Sequence, residues 1–107
     1  ILDEANEIFY STASVWEITI KHMLHPDKIR INGDLLAKGC EDNGYMVLPV
    51  FNKHVSALET LKRLENAPPH NDPFDRIMIA QAKAENLMFL THDSLIPYYG
   101  EPFIISV

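Results

Sequence analysis

The chain alternates short unbroken apolar runs with longer stretches in which apolar residues recur every three or four positions. The short runs are EIFYS (residues 7–11), YMVLPV (45–50), LMFLT (87–91) and PFIISV (102–107). Rich in β-formers, they read as strands, and YMVLPV reads as a buried one. The periodic stretches read as helices. SVWEITIKHML (14–24) puts Val15, Ile18 and Met23 at helical spacing, takes Ser14 as its N-cap and stops at Pro26. GDLLAKGCEDNG (33–44) closes on Asn43 and Gly44. NKHVSALETLKRLE (52–65) carries Val55, Leu58, Leu61 and Leu64 every third residue, behind Asn52 as cap. The next helix opens with Asp72 as N-cap, Pro73 at the first helical position and Asp75 at the third, and leaves through Asn86. DSLIPYYG reads as a short helical turn. The order is βααβααβαβ, and strands separated by helices predict a parallel sheet covered on both faces, an α/β fold in a single domain over residues 1–107.

Composition narrows the class. With 107 residues, 47% of them hydrophobic, the chain has enough apolar surface for one modest core. No apolar run reaches the ~18 residues of a membrane span, and the acidic opening ILDEANEIFY lacks the basic start of a signal peptide. A single cysteine, Cys40, excludes an internal disulfide and fits a reducing compartment, so the expected location is cytoplasmic. The formal charge of −6 argues against binding a polyanion by counterion release alone. It leaves open nucleic-acid chemistry in which carboxylates hold divalent cations and reverse the local field.

The acids have an expected meeting place. In a parallel α/β sheet the carboxyl ends of strands and the amino ends of helices share one edge, where ligands bind. Asp75 belongs to a first helical turn, Asp93 follows the strand LMFLT, and Glu17 falls three residues after the expected cap Ser14. Asp72 is a fourth acid nearby. Each has a structural reading by itself: Glu17 in a capping box, Asp72 and Asp75 in a capping pattern, Asp93 in a turn. Together, with no base spaced to neutralise all three, they point to a bound cation, and hard oxygen ligands select Mg²⁺ or Mn²⁺. That chemistry is metal-assisted phosphodiester hydrolysis. His22 and His25 lack a third ligand at zinc spacing. His70 and His92 flank the acidic edge as candidates for substrate contact, Arg76, Lys21 and Lys53 are candidate phosphate contacts, and Trp16 and Cys40 read as structural. A Gly-rich phosphate loop, a nucleophile elbow and a dinucleotide fingerprint are all missing.

The segments IFYSTASVWEITIKH, PPHNDPFDRIMIAQAKAENLMFLTHD and YYGEPFIISV, in this order, resemble the PIN domain in its VapC-type toxin form. The resemblance implies a PIN-like parallel β-sheet flanked by helices and a Mg²⁺- or Mn²⁺-dependent ribonuclease. It also implies an RNA substrate, a cognate antitoxin covering the acidic pocket, and a homodimer. It maps the acidic set onto Glu17, Asp75 and Asp93, with Asp72 as an additional acid and Thr91 as a small polar residue beside the site. Ser14, Arg76 and His92 complete the candidate substrate contacts. In that family an earlier strand of the type L-L-D-T-H supplies a further metal-binding Asp. The sequence starts beyond it and lacks the usual first strand and helix, so the expectation is a trimmed piece, a site completed by another chain, or a degenerate relative. The alternative function is accordingly a non-catalytic module that binds an antitoxin. A phosphoacceptor receiver domain would need a lysine at the last strand, and PFIISV has none.

Overall fold

The structure, a computed structural model, describes residues 7–107 and divides the chain into two compact units, Ile1–Pro49 and Val50–Val107. Residues 1–6, on which most of the reading of the chain's acidic opening rests, lie outside the described residues. The elements are β1 (Phe9–Ser11), α1 (Thr12–Leu24), α2 (Gly33–Asp42), β2 (Met46–Leu48), α3 (Asn52–Ala57), a 3₁₀ turn at Leu58–Thr60, α4 (Pro73–Glu85), β3 (Phe89–Thr91), a second 3₁₀ turn at Ile96–Tyr99, and β4 (Ile104–Ser106). The mixed α/β class and the predicted order hold. The strands form two parallel pairs, one in each unit. Among the described residues no helix is long and apolar enough to cross a membrane.

In the first unit β1 and β2 pair parallel with Phe9 opposite Met46 and Ser11 opposite Leu48, and α1 and α2 form the crossover. Helix α1 begins earlier than its apolar spacing predicts. Its N-cap is Ser11, whose hydroxyl accepts the Ala13 N–H at 3.0 Å, so Ser14 lies inside the helix. Asn32 caps α2 by accepting the Leu35 N–H, and Asn43 with Gly44, at φ +80°, ends it as expected. The two helices meet closely at Gly33, where a Cβ would overlap Thr19 Oγ1 and press on Val15. The strand expected to be buried is instead exposed at Met46 and Val47. Among the described residues β2 has one strand neighbour, and Pro49 has no N–H to extend the ladder.

In the second unit β3 and β4 pair parallel with Phe89 opposite Ile104 and Thr91 opposite Ser106. β3 is shorter than LMFLT because the Leu87 N–H is already taken by the Ala82 carbonyl at the helix exit. The core gathers Leu61, Ile79, Ala80, Ile96 and Tyr99, with Phe89, Phe103 and Ile104 packed against it. Helix α4 follows its sequence signals: Asp72 accepts the Phe74 and Asp75 N–H groups, Pro73 opens the helix, and Asn86 leaves it at φ +56°. Helix α3 does not, since it ends at Ala57 and passes through the 3₁₀ turn into an extended Leu61. Of the leucines spaced every third residue only Leu58 lies in the 3₁₀ turn, and Leu61 is already extended, so the spacing does not mark one continuous helix. Its cap is Phe51, one residue before Asn52, and the Phe51 N–H donates to Nδ1 of the fully buried His54.

Arg63 joins the loops of this unit. Its guanidinium donates to the Pro68 carbonyl at 2.7 Å and the Leu95 carbonyl at 2.6 Å, and lies 4.7 Å from the centre of the Tyr99 ring. The loop before α4 and the loop after β3 are thereby tied to one planar cation.

Two outcomes follow for stability. Gly33→Ala is expected to destabilise the protein by roughly 1–3 kcal/mol through overpacking, and Gly39→Ala, where a Cβ meets nothing within 4 Å, is the control. Arg63→Ala is expected to cost roughly 2–4 kcal/mol through loss of two charge-assisted hydrogen bonds. Arg63→Lys recovers little of this, because an ammonium lacks the fork that reaches both carbonyls. Urea unfolding of each variant measures both effects, and an Arg63→Lys protein as stable as the original would refute the second.

Candidate metal centre

Asp75 is the third residue of α4 and its backbone N–H is held by the cap Asp72. Its side chain is about a quarter exposed (24%), and Oδ2 lies 3.2 Å from Nε2 of His70. Asp93 lies two residues beyond β3 in a turn that the sequence builds from its own side chains. The Thr91 hydroxyl accepts the Asp93 N–H at 3.0 Å, and Asp93 Oδ1 accepts the Leu95 N–H at 2.8 Å. These bonds make Thr91 a buried support of the loop and leave Asp93 exposed.

The helix start, the loop before it and the loop after β3 bring His70, Asp75 and Asp93 together, with one ligand atom from each lying within 4.8 Å of the others. Two carboxylates this close repel each other unless a positive charge intervenes. The two carboxylates are hard oxygen donors that suit a divalent cation such as Mg²⁺ or Mn²⁺, and the His70 imidazole lies beside them. Exposure of Asp93 gives an ion and a substrate access from solvent.

His70 is buried and uses both ring nitrogens, Nε2 toward Asp75 and Nδ1 toward the Tyr99 hydroxyl at 2.8 Å. The two rings meet edge to face, with centroids 5.5 Å apart. Burial pushes the Tyr99 hydroxyl above its ordinary pKa, against the opposing pull of Arg76 and Arg63, so this phenol keeps its proton at neutral pH.

The remaining sequence candidates separate. Asp72 is exposed and spends Oδ1 on the helix cap, the role its position predicts. His92 is exposed, and its Nδ1 pairs with the Val107 carbonyl at 3.0 Å. Arg76 lies on the second turn of α4 and has a buried Nε with no hydrogen-bond partner among the described residues. Ser14 and Glu17 belong to the first unit. With the cap at Ser11, Glu17 is the sixth residue of α1 and not part of its first turn. It is also ion-paired with Lys21, one turn on, at 3.0 Å, so the reading that its charge lacked a compensating base is corrected. His22, weighed as a zinc ligand, places Nδ1 2.7 Å from the Ile29 carbonyl.

The sequence reading placed His70 only as a substrate contact and overlooked Tyr99 and Arg63. The spacing of five residues from His70 to Asp75, across a helix start, was the available signal for the first. Tyr99 and Arg63 reach the centre only through tertiary contacts.

No curated protein and no solved structure matches the chain. The family model for the PIN domain matches residues 1–101. With nearly the whole sequence matched, the chain belongs to the PIN domain family, whose members are generally metal-dependent nucleases.

Proposed function

We propose that this chain is a divalent-metal-dependent ribonuclease of the VapC toxin type, cleaving RNA phosphodiesters at its carboxylate cluster. The proximity of Asp75, Asp93 and His70, within 4.8 Å, is the observation that carries this reading. Asp75 and Asp93 would hold the ion, and motif resemblance adds Glu17 to the acids required for activity, with Asp72 as an auxiliary. A bound Mg²⁺ or Mn²⁺ supplies Lewis acidity at the phosphoryl group and acidifies water.

The chain's own residues do the rest. Asp93, exposed on a turn closed by Thr91, presents its carboxylate where a backbone phosphate can approach. Asp75 lies at the amino end of α4, where the helix dipole favours a negative charge. His92 and Arg76 are the side chains assigned to the phosphate, and Ser14 is a weaker candidate. The same resemblance supports a toxin that is neutralised by a cognate antitoxin laid over the acidic cluster and that forms a homodimer, and the single cysteine supports a cytoplasmic location.

Asp75→Asn and Asp93→Asn test the assignment without dismantling the fold. An asparagine Oδ1 still accepts from His70 or from the Leu95 N–H, while the charge is removed. Each is expected to reduce Mn²⁺-dependent RNA cleavage by more than the ~100-fold that marks loss of a supporting partner, with unchanged circular dichroism. Glu17→Gln is expected to lower cleavage in the same assay. Full activity in Asp75→Asn would refute the reading. A folded, metal-binding chain that cleaves nothing would favour the antitoxin-binding module.

Manganese is also expected to stabilise the protein thermally, by about 2.7 kcal/mol at a concentration 100 times the Kd. Asp75→Asn should abolish this gain. Differential scanning calorimetry with and without Mn²⁺ reads it directly, and an equal gain in the variant would place the ion elsewhere.

A further inference from the structure

Resting on the assignment of Asp75 as a metal ligand, we infer that Tyr99 and His70 form a positioning relay for that carboxylate, in which the Tyr99 O–H donates to His70 Nδ1 and the His70 Nε2–H donates to Asp75 Oδ2.

The direction of the relay follows from the chemistry of its ends. An ionised carboxylate has only acceptors, so the ring nitrogen 3.2 Å from Asp75 Oδ2 must carry a proton. An unprotonated Nε2 there would set lone pair against lone pair. Nδ1 is then an acceptor, and the group that faces it at 2.8 Å is a phenol, which can donate.

Each member is also immobilised. The His70 side chain is only 5% exposed, which denies the ring a solvated alternative. Tyr99 belongs to the core cluster and lies under Arg63, which ties the loops on either side. The chain of contacts therefore runs from the core, through a hydroxyl and an imidazole, to one oxygen of a partly exposed acid. The expected effect is to fix the carboxylate's rotamer before an ion arrives, as outer hydrogen bonds orient metal ligands generally.

The competing arrangement is His70 as a direct ligand. Coordination through Nε2 needs that nitrogen without its proton, which moves the proton to Nδ1. Tyr99 would then have to turn its hydroxyl toward the His70 carbonyl, 3.4 Å away. The two arrangements differ in which ring nitrogen is protonated and in what the ion does to it.

Long-range ¹H–¹⁵N correlation spectra of protein labelled at histidine decide this without any substitution. The expected His70 pattern is the Nε2–H tautomer, retained when Mg²⁺ is added. An Nδ1–H pattern, or loss of the Nε2-bound proton on adding Mg²⁺, would overturn the relay.

Calorimetric titration with Mn²⁺ supplies the functional readout. His70→Leu is expected to weaken binding by roughly 10- to 100-fold. Tyr99→Phe, which keeps the packed ring and loses only the hydroxyl, should weaken it several-fold and serves where His70→Leu does not fold. His70→Gln, whose amide can still donate to Asp75, should recover most of the affinity. A purely structural role would lower the melting temperature of these variants and leave Mn²⁺ affinity alone, which would overturn the proposal. If Asp75→Asn loses Mn²⁺ binding but His70→Leu and Tyr99→Phe keep it, the relay fails and the metal assignment stands. If Asp75→Asn binds Mn²⁺ normally, the assignment itself fails and the relay's role goes with it.

Discussion

Repulsion between Asp75 and Asp93 is the constraint around which the second unit is arranged. Like charges within 4.8 Å separate unless the backbone that carries them is fixed. Here the fixing is done by hydrogen bonds that belong to the surrounding loops more than to the acids. Asp72 takes the Asp75 N–H, Thr91 takes the Asp93 N–H, and Arg63 holds the carbonyls of Pro68 and Leu95, two residues outside His70 and Asp93 respectively. The amino end of α4 adds a partial positive charge beneath Asp75.

Legibility in the sequence follows the range of the interactions concerned. Helix α4 could be read to within its capping residues because Asp72, Pro73 and Asn86 each act on their immediate neighbours. The same local logic misled at α1, where the apolar pattern placed the cap at Ser14. The chain begins the helix at Ser11 because β1 ends there, with Ser11 paired to Leu48 in the ladder, and pairing across 37 residues leaves no mark on local periodicity. The misplaced cap moved Glu17 from the first turn to the second, while its partner Lys21 stands at i+4 wherever the helix begins. At α3 the three-residue apolar spacing reads as one α-helix over 52–65, although α3 ends at Ala57 and only Leu58 of the leucines falls in the 3₁₀ turn that follows.

The acidic cluster was legible for a different reason. Strand ends and helix starts meet on one edge in parallel α/β units whatever their exact boundaries, so Asp75 and Asp93 could be brought together from element order alone. What element order omits is the support. His70 and Arg63 are in segments without regular secondary structure and Tyr99 is in a 3₁₀ turn, and none of these positions has a periodicity to betray it. They converge because Tyr99 is a core residue that also carries a hydroxyl, and a buried hydroxyl must find a partner. The satisfied core polar group and the oriented acid are thus one structure seen from its two ends.

Net charge completes the argument for the proposed chemistry. A chain at −6 repels an RNA backbone at long range, and the acids at its centre add to that repulsion where contact must occur. A divalent ion held by Asp75 and Asp93 changes the sign of the field at the spot where a phosphate would sit, while the rest of the surface stays unfavourable. RNA binding by such a protein is then governed by occupancy of the centre more than by a basic surface. Under the proposed function, holding Asp75 in place serves substrate capture as well as catalysis, because the ion it orients would add positive charge where a phosphate would sit, beside Arg76.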